Sequence, residues 1–134
     1  MKKLLPLLTL LLTFYSSYTM ALSAESIDGA TTVNASEAKK LFDSGAAFID
    51  TRRNSDWDAG RIPDAIHLEL KTNFTEASLS SEVGKADTIV CYCNGHKCKR
   101  AATCSKQAVG WGFTKVHYFR DGFPAWKAAG HPVE

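Results

Sequence analysis

The sequence predicts an α/β fold: a single domain with a central parallel sheet of about five short strands and helices on both faces. Three observations predict it. Short apolar runs alternate along the chain with segments whose apolar residues recur at helical spacing. The clearest run, Thr88-Ile89-Val90-Cys91-Tyr92, carries no charge, as expected of a strand covered on both sides. The chain has 134 residues, of which 45% are hydrophobic and 22% charged, which suits one folded domain and excludes disorder as its main description.

Residues 25–30 read as a short linker, and Thr31-Thr32-Val33 as a first strand. Asn34 followed by Glu37 forms a capping-box pattern, in which each side chain closes the other's backbone donor. Ala38, Leu41 and Phe42 then give an apolar helical stripe that Gly45 ends. Ala46 to Asp50 is an apolar run stopped by a charge, hence a strand. Asp56 to Ala59 reads as one helical turn before Gly60, and Pro63-Asp64 as a turn. Ala65 to Leu68 suits a strand, and Phe74 to Val83 is weakly helical. After the strand Thr88–Tyr92, the residues Ala101, Cys104, Ala108 and Trp111 line one face of a helix. Val116 to Phe119 is the last strand, and Pro124 to Ala129 a closing helix ended by Gly130. Right-handed crossovers bring the C-terminal ends of all these strands to one edge, where ligands bind in such sheets.

The first two dozen residues are set apart from the domain. Lys2 and Lys3 precede an apolar run from Leu4 to Tyr15, and Ser16, Ser17, Tyr18 and Thr19 lead on to Ala21 and Ala24. Basic, apolar, then small and polar is the order of a cleaved secretory signal, and the run is short for a bilayer span. The expectation is a leader over 1–24, cut after Ala21 or Ala24, and a domain over 25–134 that is periplasmic or secreted, without stable membrane association. Without Lys2 and Lys3, the 16 basic residues fall to the number of acidic ones, 14. So balanced a domain is not built to coat a phosphate backbone, so nucleic acid is not an expected partner. Four cysteines are too few for a disulfide-dense scaffold.

The stretch richest in chemistry is Cys93-Asn94-Gly95-His96-Lys97-Cys98-Lys99-Arg100, between the clearest strand and the helix that follows. A thiol at a strand end faces the ligand crevice. Gly95 allows a tight curl, so that loop N–H groups and a helix N-terminus can meet the sulfur. With Lys97, Lys99 and Arg100 nearby, those dipoles favour thiolate over thiol, and the same cradle suits an anion.

With that loop in view, the sequence resembles the rhodanese (thiosulfate sulfurtransferase) family over residues 30–134. Three blocks carry the resemblance: Ile49-Asp50-Thr51-Arg52 through Asp56-Trp57-Asp58-Ala59-Gly60-Arg61-Ile62-Pro63-Asp64-Ala65; Ile89-Val90-Cys91-Tyr92-Cys93 with its loop; and Phe119-Arg120-Asp121-Gly122-Phe123-Pro124-Ala125-Trp126 with Gly130-His131-Pro132-Val133. The chain departs from the family pattern at Arg61, where many members have His, and at Asp64, where many have Gly. Its loop is also a two-cysteine variant, Cys93-x-Gly95-x-x-Cys98, in place of the common Cys-x-x-Gly-x-Arg. The resemblance implies that Cys93 takes a sulfane sulfur from a donor such as thiosulfate, becomes a persulfide, and passes the sulfur to a thiol or other thiophilic acceptor without a cofactor. Asn94, Gly95, His96, Lys97, Cys98, Lys99 and Arg100 are the candidate substrate-binding residues, with Asp50 and Arg52 in support.

Plainer roles compete with these. Cys91 and Cys104 fall on apolar faces and read as core residues. Cys98 either packs at the helix start, pairs with Cys93 or receives its sulfur. His96 reads as a solvated loop histidine, Asp50 and Arg52 as a structural pair, and Trp57, Trp111 and Trp126 as core aromatics. Arg120 borders the crevice. A phosphatase related to the family would place Arg six residues after its cysteine; here that position is Lys99. A thiol-based metal or metalloid binder can be drawn from Cys91, Cys93, His96 and Cys98, although no spacing matches a closed zinc site. A non-catalytic rhodanese-like binding module is the remaining alternative, and no metal is expected.

Overall fold

The computed structural model describes residues 2, 3 and 21–134; the apolar run Leu4–Tyr15 lies outside them. Five strands, β1 (Ala30–Thr32), β2 (Ala47–Asp50), β3 (Ile66–His67), β4 (Thr88–Tyr92) and β5 (Lys115–Phe119), form one sheet in the order β1-β5-β4-β2-β3. Every pairing is parallel. The helices are α1 (Ala35–Asp43), α2 (Asn54–Ala59), α3 (Glu76–Glu82), α4 (Arg100–Gly110) and α5 (Gly122–Ala128). β4 is central, flanked by β2 with Asp50 opposite Tyr92 and by β5 with Tyr92 opposite Phe119. Its C-terminal end therefore opens in the middle of the ligand-binding edge.

The strand period of two sorts the core into two layers. From β2 and β4, Ile49, Ile89, Cys91 and Cys93 pack with Leu79 of α3 and with Ala101, Cys104 and Ala108 of α4. The intervening Phe48, Val90 and Tyr92 pack with Ala38, Leu41 and Phe42 of α1 and with Phe123 and Trp126 of α5. Trp126 is fully buried and meets Phe42 and Phe48 edge-on, at centroid distances of 5.4 and 5.8 Å.

The capping box forms as the sequence predicts, with Glu37 N–H donating to Asn34 (2.8 Å) and Asn34 N–H to Glu37 (3.1 Å). The first strand sits one residue earlier than predicted, at Ala30–Thr32, and it is a partly exposed edge. The weakly helical stretch contains a real helix, α3, because Thr75 and Ser78 supply a second reciprocal cap. α5 starts two residues before Pro124, whose missing N–H falls in a first turn that needs no intrahelical donor.

Two core expectations are corrected. Trp57 and Trp111 are half-buried and not core residues. Trp57 lies between the Arg61 guanidinium, 4.3 Å from its ring centre, and a stacked His67 ring at 4.6 Å, and Trp111 leans on Phe74 at 5.3 Å. Cys91 and Cys104 are fully buried as predicted, but they are not plain core thiols. Both face the layer between β4 and α4, with Cα atoms 6.1 Å apart, and they form a disulfide.

That bond closes a loop over a sequence separation of 13 residues. A loop of this size stabilises the fold by about 3 kcal/mol, chiefly by restricting the unfolded chain. The Cys91→Ala/Cys104→Ala double variant is expected to lose about that much in urea unfolding without reductant. The gap to the parent protein should close largely once dithiothreitol is added.

Candidate active site

The site is built around the segment 93–99, which leaves β4 and enters α4. Cys93 extends the buried row of β4 and is 2% exposed. Its carbonyl accepts the Phe123 N–H (2.9 Å), which ties the start of the loop to the start of α5. Gly122 makes this approach possible. Its φ is +67°, and a Cβ there would run into the Cys93 carbonyl and lie 2.8 Å from Gly95 N. Gly95 has φ +110° and turns the chain, so that its carbonyl receives the Cys98 N–H at 3.0 Å. Among the described residues, no acceptor is found for the N–H groups of Gly95, His96 and Lys97, which leaves them to solvent or an anion. Cys98 is half-buried and forms a disulfide with Cys93, with Cα atoms 6.2 Å apart.

A cleft of about 520 Å³ opens beside this bond. Cys93, Asn94, Lys97, Cys98 and Lys99 of the loop and Arg100 at the start of α4 line it, joined by Arg52, Arg53, Asp56 and Lys71. Six cationic side chains and one carboxylate line it, and two of the cations, Arg52 and Arg100, are paired with Asp50 and Glu69, so the lining is cationic overall. Arg53 and Lys71 are absent from the sequence reading. Both follow strands, β2 and β3, so the rule that ligands sit beyond strand ends was the signal that could have found them.

Asp50 and Arg52 lie beneath the cleft as a buried pair. Arg52 Nη2 donates to Asp50 Oδ2 (2.7 Å) and to the Gly60 carbonyl (2.7 Å), its Nε reaches both Asp50 oxygens, and its Nη1 donates to Asn94 Oδ1 (3.3 Å). Burial works against the Arg52 charge, but the hydrogen bonds and charge of Asp50 outweigh it and raise the guanidinium pKa overall. Tyr92 donates its hydroxyl to Asp50 Oδ2 at 2.5 Å. Burial first, then the Asp50 charge, holds that hydroxyl protonated far above the usual tyrosine range. Asn94 is thereby oriented from below by Arg52 and from the side, where its amide donates to Asp56 (3.1 Å).

The remaining predicted site residues divide. Lys97 and Lys99 are exposed and face the cleft. Arg100 also borders it, but its guanidinium pairs with Glu69 and donates to the Thr51 carbonyl (3.0 Å). Hydrogen bonds from Thr72 and Arg100 hold the Glu69 carboxyl at a pKa of about 2, well below the carboxylate range. His96 is not among the cleft residues; its ring pairs with Asp121 and neighbours Arg120. Its carbonyl receives both the N–H (2.7 Å) and the hydroxyl (2.9 Å) of Ser23, a buried residue that the sequence reading assigns to the leader. Arg120 and Tyr118 hold this segment further, donating to the carbonyls of Ser23 (2.9 Å) and Ala24 (2.8 Å). Cys91, Cys93, His96 and Cys98 are thus not gathered into one ligand set: two disulfides divide the thiols and the imidazole is turned to Asp121.

The sequence profile of the rhodanese-like domain matches residues 34–129, nearly all of the described fold. The chain belongs to the rhodanese-like domain family. Among its relatives, the thiosulfate sulfurtransferase GlpE of Pseudomonas savastanoi pv. phaseolicola is 31% identical over 97 residues, covering 69% of this chain and 82% of that protein. The protein of the same name from Pseudomonas syringae pv. syringae is 29% identical over 98 residues, covering 73% and 87%. The rhodanese-like domain of an Anabaena protein, solved in solution, superposes with a TM-score of 0.60 at 26% identity and covers 77% of each chain. A human single-domain sulfurtransferase shares the rhodanese fold at a TM-score of 0.62 and 22% identity, over 74% of this chain and 96% of its own.

The packing of α5 against the loop gives a direct test. Gly122→Ala forces a positive φ on a residue with a Cβ, which costs about 1–2 kcal/mol before any collision, and the Cβ also displaces the Cys93 carbonyl. Thermal unfolding is expected to show a loss of at least that size. An unchanged midpoint would mean that the loop can move off α5 freely.

Proposed function

We infer that this rhodanese-like protein is a sulfurtransferase: Cys93, once reduced, takes the sulfane sulfur of a small anion such as thiosulfate and passes it to a thiol or other thiophilic acceptor. The observation that carries this reading is the placement of Cys93 in a cationic cleft, at the end of the central strand and a few residues before the N-terminus of α4. The sulfurtransferase names of the relatives support it. The cations attract the dianionic donor, and the helix terminus and loop dipoles favour, in turn, the thiolate, the persulfide anion and the departing sulfite. Transfer proceeds by covalent catalysis in two displacements, with no cofactor required.

The assay is thiosulfate with cyanide as acceptor, after reduction of the protein. Cys93→Ser is expected to abolish thiocyanate formation. Lys97→Gln/Lys99→Gln should raise the KM for thiosulfate several-fold while kcat changes less, the mark of lost ground-state binding, and added salt should shrink the difference. Full activity of Cys93→Ser would end the reading.

The same proposal includes export. The basic and apolar order of residues 2–15 supports a leader, and two disulfides suit an oxidising compartment. The contacts of Ser23 and Ala24 favour cleavage after Ala21 over cleavage after Ala24, because the later cut would remove the hydrogen bonds that brace His96. Intact mass of the exported protein is expected to give Leu22 as its first residue. A chain beginning at Glu25, or one retaining its leader in the membrane fraction, would overturn this choice.

A further inference from the structure

Resting on the sulfur-transfer reading, we propose that Cys98 is a resolving thiol. It discharges the Cys93 persulfide as hydrogen sulfide, so the domain reduces a sulfane-sulfur donor at the expense of an external dithiol.

The observation is that the two sulfur atoms this step must join are bonded to each other, within a loop anchored by backbone hydrogen bonds. With the bond closed, Cys93 O receives the Phe123 N–H (2.9 Å), Gly95 O the Cys98 N–H (3.0 Å) and His96 O the Ser23 N–H (2.7 Å). The Cα separation of 6.2 Å lies in the ordinary disulfide range. Cys98 and Cys93 also line the same cleft, whereas Cys93 itself is almost wholly covered. An external acceptor must therefore compete with a thiol already held at the reacting atom, and such held groups gain greatly in effective concentration.

The steps balance. The Cys93 thiolate attacks the sulfane sulfur of thiosulfate; the S–S bond of the donor breaks and sulfite leaves with the electron pair. Cys98 gives its proton to solvent, and its thiolate attacks Sγ of the Cys93 persulfide. The Cys93–Cys98 bond forms, the bond to the sulfane sulfur breaks, and that sulfur leaves with the pair and takes up a proton as hydrosulfide. The sulfane sulfur has gained two electrons, and two thiols have become one disulfide. An external dithiol then attacks Cys98, the more exposed of the two residues. Cys93 leaves as the thiolate that the cationic cleft favours, and the second thiol of the reductant closes its own disulfide.

The test is a single turnover without oxygen. Protein is reduced, freed of reductant and mixed with excess thiosulfate. Wild type is expected to release one sulfite and one sulfide per chain and to end with a Cys93–Cys98 disulfide in peptide mapping, its mass lower by two hydrogens. Cys98→Ser and Cys98→Ala should release the same sulfite, which also shows that their sites are intact. Their sulfide should fall to background, and their mass should rise by one sulfur held on Cys93. Wild type that releases sulfite but keeps the added sulfur, on Cys93 or on Cys98, overturns the resolving role and leaves sulfur transfer standing. Wild type that releases no sulfite overturns the transfer reading, and this inference with it.

Discussion

The arrangement rests on one buried ion pair, Asp50 with Arg52. The carboxylate is fully buried at the end of β2, and the guanidinium bridges from it to the Gly60 carbonyl after α2 and to Asn94 in the loop. Arg52 also lies over the rings of Phe123, at 4.5 Å, and Tyr92, at 5.6 Å. Five elements thus meet at one cation: β2, α2, β4, α5 and the loop. Removing either partner would strand a buried charge, a change that costs on the order of 3–5 kcal/mol. The pair therefore fixes the floor of the cleft, while Lys97 and Lys99 stand exposed at its rim.

The parts of the fold legible in the sequence are those decided by local chemistry. β4 announces itself because a central parallel strand is buried on both sides and needs no polar alternation. α1 does so because Asn34 and Glu37 cap it and Gly45 stops it. The edge strand β1 is blurred for the opposite reason: two of its three residues are exposed, so no apolar pattern marks its ends. Trp57 misleads because its size suggests the core, while its partners are a cation four residues on, Arg61, and an imidazole from beyond the Pro63-Asp64 turn, His67.

In the candidate site, the loop was legible because strand, cysteine, glycine and cations follow one another within a few residues. What was not legible depends on distance in three dimensions. The bond between Cys91 and Cys104 depends on α4 folding back over β4, and each cysteine alone looks like any small core residue. Lys71 reaches the cleft from beyond the end of β3, and Ser23 braces the His96 carbonyl from a stretch whose composition belongs to a leader. Arg100 was found, but its engagement with Glu69 was not, since that carboxylate enters from 31 positions away.

Cys91 and Cys93 point to the same side of β4, so α4 is joined to this strand twice: through its body at Cys104 and just ahead of its first turn at Cys98. The two joints differ in kind. The inner one is sealed from solvent and acts as a fixed bolt; the outer one borders the cleft and acts as a clasp. When the clasp opens, the bolt still ties the helix to the sheet at Cys104, in the hydrophobic layer behind the cleft. A change of oxidation state at the outer joint therefore leaves the covalent tie through the hydrophobic layer intact.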